Sequence, residues 1–522
     1  MGHSTPPSIL NDIMGPVMRG PSSSHTAGSF HIATLARALL GAPPTAARFT
    51  FDPSGSYAQV YRQQGVDRAF AMGLLGRPLT EAVFFRALDA AREGGVVIEF
   101  ALGALPGADH PNAVEVELEG EGGRRISLRA KSVGGGAVEV TRLQQWPVSM
   151  KGQRHHVLVD AARDHTAQVH ETLREDPSTT VIAVETPDGA RVLSSAERRE
   201  ALPEEDGRAL AAAPGVFRVY QAPPVNYGQK GHALFRSAGE MLRMAEQREV
   251  SLGRLALAYE AELLGAGEPE LLAEMARRFE VMRSAVHEGL SENAPSTQLL
   301  RPSAGRIFNA EGAGRLAIGG LHTRAAARAM AVMHVNGAMG VVCAAPTGGS
   351  AGVLPGVLVT LVEERGMSAE QAALALFAAS AIGVIVACRA TFAAEVAGCQ
   401  VEIGAAGAMA AAAVVEYAGG SARQAADAAA IAFQNTMGSV CDLVQGMVEI
   451  PCHTRNAAAA ASAFVCADLV LGGYVNPIPL DETVDAVYAV GRMMPAELRC
   501  TARGGLATTP SALRLVRLER RT

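Results

Sequence analysis

An α+β N-terminal domain followed by a large all-α domain is the fold the sequence predicts. Short β-branched or alternating runs are confined to the first part of the chain, and after Pro214 apolar residues fall at helical spacing or fill whole segments. With 522 residues, 48% hydrophobic and 5% aromatic, the chain can support two to four domains with real cores. The 55 glycines are spread through an alanine-rich sequence, which excludes a collagen-like or disordered polymer.

Residues 1–147 read as an α/β domain. Strand-like runs at 48–51, 96–100, 113–118 and 137–141 alternate with helical stretches at 28–40 and 65–75, and Gly134-Gly135-Gly136 marks a turn. Residues 148–214 carry a weaker α/β pattern, with strands at 157–160 and 180–185, a helix near 165–175 and a charged Pro/Glu/Asp linker at 198–208. Residues 215–522 form the helical domain. Residues 232–291 are amphipathic and charged, as antiparallel helices are, whereas 324–475 are Ala/Gly-rich and apolar nearly all round, as central helices are. The uncharged run from Ala372 to Cys388 falls short of the ~20 residues of a bilayer span and reads as a buried helix.

Composition excludes several functions. A net charge of −6 gives no general attraction to nucleic acid or anionic membranes. The first twenty residues lack a basic start followed by an apolar core, so a cytoplasmic protein without a signal peptide is expected. Seven cysteines, with Cys388, Cys399, Cys441, Cys452 and Cys466 crowded in the last third, suit a local metal or cluster site better than a disulfide scaffold. The only lysines are Lys131, Lys151 and Lys230, none beside a phosphate-binding loop, which argues against a pyridoxal-phosphate Schiff base.

Three segments carry chemistry. Ser22, Ser23, Ser24, His25 and Thr26 precede a helix, where hydroxyls and early N–H groups make either an anion site or a simple cap. Thr347, Gly349 and Ser350 lie in a second Gly/Ser/Thr loop, which either approaches a small carboxylate or turns between helices. Cys399, Cys441 and Cys452 sit at the ends of apolar helices with no CxxC pair of a structural zinc site. They suit three corners of an iron–sulfur cube with one iron left free to act as a Lewis acid, or they pack as small inert hydrophobes.

Seven blocks decide among these readings: SSSHTAG from Ser22, HPN at 110–112, SVGGG at 132–136, GAMGVVCAAPTGGSAGVLPG at 337–356, GCQVEIGAAGAMAAAA at 398–413, VCDLVQGMVEIPCHTRNA at 440–457 and MPAELRCTARGGLATTPSA at 494–512. In this order the chain resembles the iron–sulfur-dependent L-serine dehydratases, with the β and α parts of that family fused in one polypeptide. The resemblance implies a [4Fe-4S] cluster on Cys399, Cys441 and Cys452, whose free iron takes the serine hydroxyl while a base removes the α-proton. Aminoacrylate then decays to pyruvate and ammonia without pyridoxal phosphate. It also implies an N-terminal domain like the allosteric substrate-binding domain of phosphoglycerate dehydrogenase, and an ACT-like domain at 148–200. A homodimer acting on a small amino acid is expected.

The chain departs from that pattern around the substrate. Where the family carries GS…GKGHxTD, Gln64 stands at the position of the histidine base and Val66 at that of the threonine. A glutamine amide takes no proton near neutral pH. The family's NASISG segment reads Arg389-Ala390-Thr391-Phe392-Ala393-Ala394, its CDPV reads Cys441-Asp442-Leu443-Val444, and the chain ends LERRT without the terminal cysteine of some relatives. His25 is therefore the nearest surviving candidate for proton transfer, with the two Ser/Gly loops expected to approach the cluster from opposite sides. Arg389, a catalytic candidate together with His25 and Gln64, requires a partner near the cluster. That partner is Glu395, Glu402 or an acidic group on the substrate. Serine dehydration leads; the same chemistry on threonine, a β-hydroxy dicarboxylate or cysteine (with loss of sulfide) follows, and a non-catalytic amino-acid-binding relative is a further alternative.

Overall fold

A computed structural model describes residues 6–174 and 179–518. Its N-terminal region is α/β with sheets and its C-terminal region is mostly helical, as the sequence predicts. In chain order the strands are β1 (Val17–Arg19), β2 (Pro44–Phe51), β3 (Val97–Leu102), β4 (Ala113–Gly120), β5 (Arg124–Gly134), β6 (Ala137–Leu143), β7 (Trp146–Met150), β8 (His155–Ala162), β9 (Val181–Glu185), β10 (Arg191–Arg198), β11 (Val216–Ala222) and, within the helical half, β12 (Val341–Cys343).

Six strands form one sheet in the order β3-β2-β4-β5-β6-β7. The connection from β2 to β3 passes through helices Val66–Leu75 and Ala87–Glu93, and such a crossover makes that pair parallel. The short turns from β4 onwards give antiparallel pairs. Period-two alternation puts Phe49 and Phe51 of β2 and Ile126, Leu128 and Ala130 of β5 inside. Helices Gly28–Leu40 and Val66–Leu75 cover this face, with Phe70 stacked on Phe49 at 4.1 Å between ring centres.

A second, fully antiparallel sheet has the order β11-β8-β10-β9 and its own small core, including Val157, Val159, Leu173 and Leu210. Two sequence expectations are corrected here. Strand β11 carries this sheet past the boundary at 214, because Val216, Val219 and Tyr220 supply β-branched and aromatic residues. The 198–208 stretch is no free linker, since helix Glu204–Ala212 begins within it and buries Leu210 against β-sheet residues.

In the helical half, helix Ile403–Tyr417 is buried on all sides from Ile403 to Val415. Its alanines let helices Ala369–Arg389, Ala422–Thr436 and Cys452–Leu471 pack closely around it. Among the described residues two segments are long and apolar enough to cross a bilayer, Ala369–Arg389 and Cys399–Tyr417, and they are 78% and 89% buried within the protein. Their apolar surface is already used as core.

The two halves are tied by the N-terminal segment. β1 pairs antiparallel with β12, Val17 opposite Cys343. Just before it, the turn Ile9–Ile13 is seated on the Glu260 carboxylate, which accepts from Ser8 Oγ (2.6 Å), Ile9 N (2.8 Å) and Leu10 N (2.9 Å). Burial raises the Glu260 carboxyl to about 7 despite these bonds.

Candidate active site

The serine-rich segment forms a helical turn, Ser23–Ala27, that runs into helix Gly28–Leu40. Ser22 caps it by accepting from His25 N at 3.3 Å. His25 is buried. Its Nδ1 lies 3.2 Å from Ser22 Oγ, 3.3 Å from Ser24 Oγ and 3.3 Å from Glu395 Oε1, and its Nε2 lies 2.9 Å from Ser56 Oγ. Ser24 donates to Glu395 Oε1 at 2.8 Å, and Asn112 of the HPN block donates to the same oxygen at 3.4 Å. Burial pulls the His25 imidazolium below its ordinary value against the opposing charge of Glu395, so the ring is neutral at neutral pH. With Nδ1–H directed at the carboxylate, Nε2 carries the lone pair.

Gln64 lies beside this cluster. Its backbone carbonyl accepts from Thr26 Oγ1 at 2.8 Å, and its Nε2 donates to Gly446 O at 3.3 Å. Its Oε1 is buried with no partner, an acceptor left open in a dry place.

The second loop forms a capping box in which Thr347 and Ser350 satisfy each other's backbone. Thr347 Oγ1 donates to Glu402 Oε1 at 2.6 Å, and Gly348 N donates to Ser23 Oγ at 3.1 Å. The two loops therefore meet edge to edge rather than facing each other across the thiols. At Gly349 a β-carbon would stand 2.7 Å from Glu402 Oε1, so only glycine lets this loop approach the carboxylate. Gly349 O in turn accepts from Asn456 Nδ2 at 2.9 Å. Burial raises the Glu402 carboxyl to about 7.

Cys399 opens the turn before helix Ile403–Tyr417, Cys452 is the first residue of helix Cys452–Leu471, and Cys441 lies in a short bridge to Arg499. All three are buried and lie within charge-interaction range of one another, Cys452 with both others and Cys399 with Cys441. Burial, the neighbouring thiols and Glu402 push Cys399 and Cys452 well above the ordinary thiol value. Cys441 is raised by its contact with the Cys500 thiol and by burial. Among the described residues no three His, Cys, Asp or Glu side chains gather tightly enough to hold a single metal ion. Three soft thiols that interact with one another suit a polynuclear iron–sulfur group, whose positive irons would deprotonate them. The guanidinium of Arg455 interacts with all three thiols and is anchored on Val440 O (2.7 Å) and Asp442 (3.1 Å), a countercharge for an anionic cluster.

Arg389 stands apart from the thiols, on the wall of a cavity of about 840 Å³ that also exposes Ser56, His110, Glu395 and Arg499. Neither Glu395 nor Glu402 balances it. Its guanidinium grips Asp485 (Nε to Oδ1, 3.0 Å) and lies 3.6 Å from Asp481, both on helix Leu480–Met493. That fully accounts for its charge within the protein and removes the argument for an acidic substrate. Residues 519–522, which complete the LERRT terminus, lie outside the described residues.

Sequence reasoning passed over Ser56, Asn112, Arg455 and Cys500, and it considered Glu395 and Glu402 only as partners for Arg389. The polar residues lie inside the quoted blocks or beside them, but their role appears only once the fold brings His25 and Glu395 together.

The α/β region and the helical half together bring buried thiols and a His–carboxylate pair into one part of the molecule. Residues 204–507, more than half of the chain, match the family described as serine dehydratase alpha chain, and the chain belongs to that family. It is 39% identical over 282 residues to the probable L-serine dehydratase alpha chain of Bacillus subtilis, covering 54% of this chain and 94% of that one. It is 33% identical over 285 residues to the L-serine dehydratase alpha chain of Peptoniphilus asaccharolyticus, covering 54% and 98%. It is 34% identical over 284 residues to the L-serine dehydratase TdcG of Escherichia coli, covering 52% and 61%.

Proposed function

We propose that this protein is an iron–sulfur-dependent L-serine dehydratase that converts serine to pyruvate and ammonia. What supports the reading is that buried Cys399, Cys441 and Cys452 interact with one another, and Cys441 with Glu395 of the His25–Glu395 pair, in a chain of the serine dehydratase alpha family. A [4Fe-4S] cluster held by those three cysteines would supply a Lewis acid for the serine hydroxyl. The chain's own residues do the rest. Neutral His25 accepts the α-proton at Nε2, with Ser56 holding the ring, and Glu395 stabilises the imidazolium that results. Gln64, where the family has its histidine, offers its free Oε1 to the substrate ammonium. The two loops, Ser22, Ser23, Ser24 and Thr26 on one and Thr347, Gly349 and Ser350 on the other, would fix the substrate carboxylate and lower the barrier by orientation.

The same reading assigns the six-stranded region to an allosteric-substrate-binding-like domain and the 148–200 segment to an ACT-like domain, supported by the small antiparallel sheet with helices Thr166–Leu173 and Glu204–Ala212. It makes the enzyme a cytoplasmic homodimer. The test is anaerobic purification with iron and sulfide, followed by pyruvate release from serine, threonine, cysteine and a β-hydroxy dicarboxylate. Brown protein with serine as the best substrate is expected, together with bleaching in Cys399→Ser, Cys441→Ser or Cys452→Ser. Fully iron-loaded protein that turns over none of these substrates would overturn the reading in favour of a binding protein.

A further inference from the structure

Cys500 is the cysteine in this region that the three-ligand reading leaves without a role. It sits in a two-bond bridge to one of the proposed ligands: Cys441 N donates to Leu498 O and Cys500 N donates to Cys441 O, each at 2.8 Å. With standard bond lengths, the second bond keeps the two α-carbons within about 6.7 Å of each other. That lies inside the ~4.4–6.8 Å span of disulfides. Both thiols are buried, and each perturbs the other's titration.

The backbone around Cys500 is unusual. Cys500 (φ 62°) and Ala502 (φ 55°) both occupy the left-handed region that side-chain-bearing residues avoid. Such conformations persist where surrounding structure enforces them, and they cluster at functional sites. Arg499 and Thr501, on either side of the buried Cys500, line the 840 Å³ cavity, so the thiol is one residue removed from that space.

We propose that Cys441 and Cys500 close a reversible disulfide when the protein is cluster-free and meets a peroxide. The Cys500 sulfur attacks one peroxide oxygen; the S–O bond forms, the O–O bond breaks, and the departing oxygen leaves as water with the thiol proton. The Cys441 sulfur then attacks the resulting sulfenic acid; the S–S bond forms, the S–O bond breaks, and a second water leaves with the Cys441 proton. Two thiols lose two electrons and hydrogen peroxide is reduced to two waters. The bond shields Cys441 from irreversible sulfinic oxidation. Resting on the proposed role of Cys441 as a ligand, it also withholds the cluster site until a thiol reductant arrives.

The experiment uses full-length protein stripped of iron anaerobically with a chelator, treated with stoichiometric hydrogen peroxide, alkylated and mapped by mass spectrometry. A Cys441–Cys500 cross-linked peptide that dithiothreitol reverses is expected. In Cys500→Ser given excess peroxide, Cys441 should instead accumulate sulfinic and sulfonic forms. Free, alkylatable Cys500 in the treated wild type, or pairing of Cys441 with Cys399 or Cys452, would overturn the proposal without any variant having to fold. Iron and sulfide uptake is measured on the same samples. Oxidised protein should take up iron only after reduction, and a disulfide that forms while iron loads normally would leave the pairing standing and overturn the role of Cys441 as a ligand.

Discussion

Replacing the His25 ring separates proton transfer from scaffolding. Its Nε2 lies 2.9 Å from the hydroxyl of Ser56, which lines the cavity, and positioned bases contribute about 10²–10⁴-fold. His25→Ala should therefore lower kcat by that order with little change in iron content; a variant of full activity would remove the ring from the reaction. The neutral ring is the competent form and exists above its own pKa. Because burial holds that pKa below the ordinary 6.5, the acid limb of kcat should fall below pH 6.5. The Glu395 charge favours the imidazolium, so Glu395→Gln should move the limb to still lower pH, a shift that loss of packing alone would not produce. The limb staying in place would disconnect Glu395 from the base.

At the scale of elements, the segment Ser8–Met14 depends on one buried carboxyl. Glu260 satisfies Ser8, Ile9 and Leu10 together, and deleting it leaves buried donors without partners at roughly 1–3 kcal/mol each. Glu260→Ala should lower the melting temperature by several degrees and expose the amides of Ile9–Met14 to hydrogen exchange, while unchanged protection there would show that Arg278, which binds the carbonyls of Leu10 and Met14, holds the segment without it. Much of the element order was legible in the sequence. Strands and helices with strong β-branched or apolar runs, such as 48–51, 28–40 and 372–388, fall within observed elements. β5 was overlooked although Ile126, Leu128 and Ala130 alternate with charged residues, because arginines and serines dilute the run below the usual strand composition. β11 was lost to the Pro214 boundary. The thiols and serine loops could be singled out from their blocks, but Glu395 could not be matched to Ser24, which is 371 residues away in sequence. A pair that distant leaves no local periodicity to read.

For the whole molecule, acid should loosen both halves. His156 on β8 and His334 on helix Leu321–Gly337 are both lowered from 6.5 to about 4 by burial, and His155 adds to the shift at His156. The unfolded chain binds their protons first. The stability they represent is therefore complete above pH 6.5 and is lost as pH falls through 4, at the limit roughly 3 kcal/mol per ring. Denaturant midpoints should decline between pH 6.5 and 4, and hydrogen exchange should show the small sheet and the helix Leu321–Gly337 weakening together. If protection in the small sheet is flat across that range, His156 does not titrate as described.

The ladder between β1 and β12 sets the order in which the chain can finish folding on the ribosome. Val17 emerges more than three hundred residues before its partner Cys343. At the ~5–20 residues per second of synthesis, that strand waits roughly 15–65 s with its edge unpaired. The apolar Ile9, Leu10, Ile13 and Met14 beside it have no helical half to enter during that interval. Slow translation upstream of Cys343 should therefore lengthen the window for aggregation, and a chaperone that binds short apolar segments would find its client at the very start of the chain.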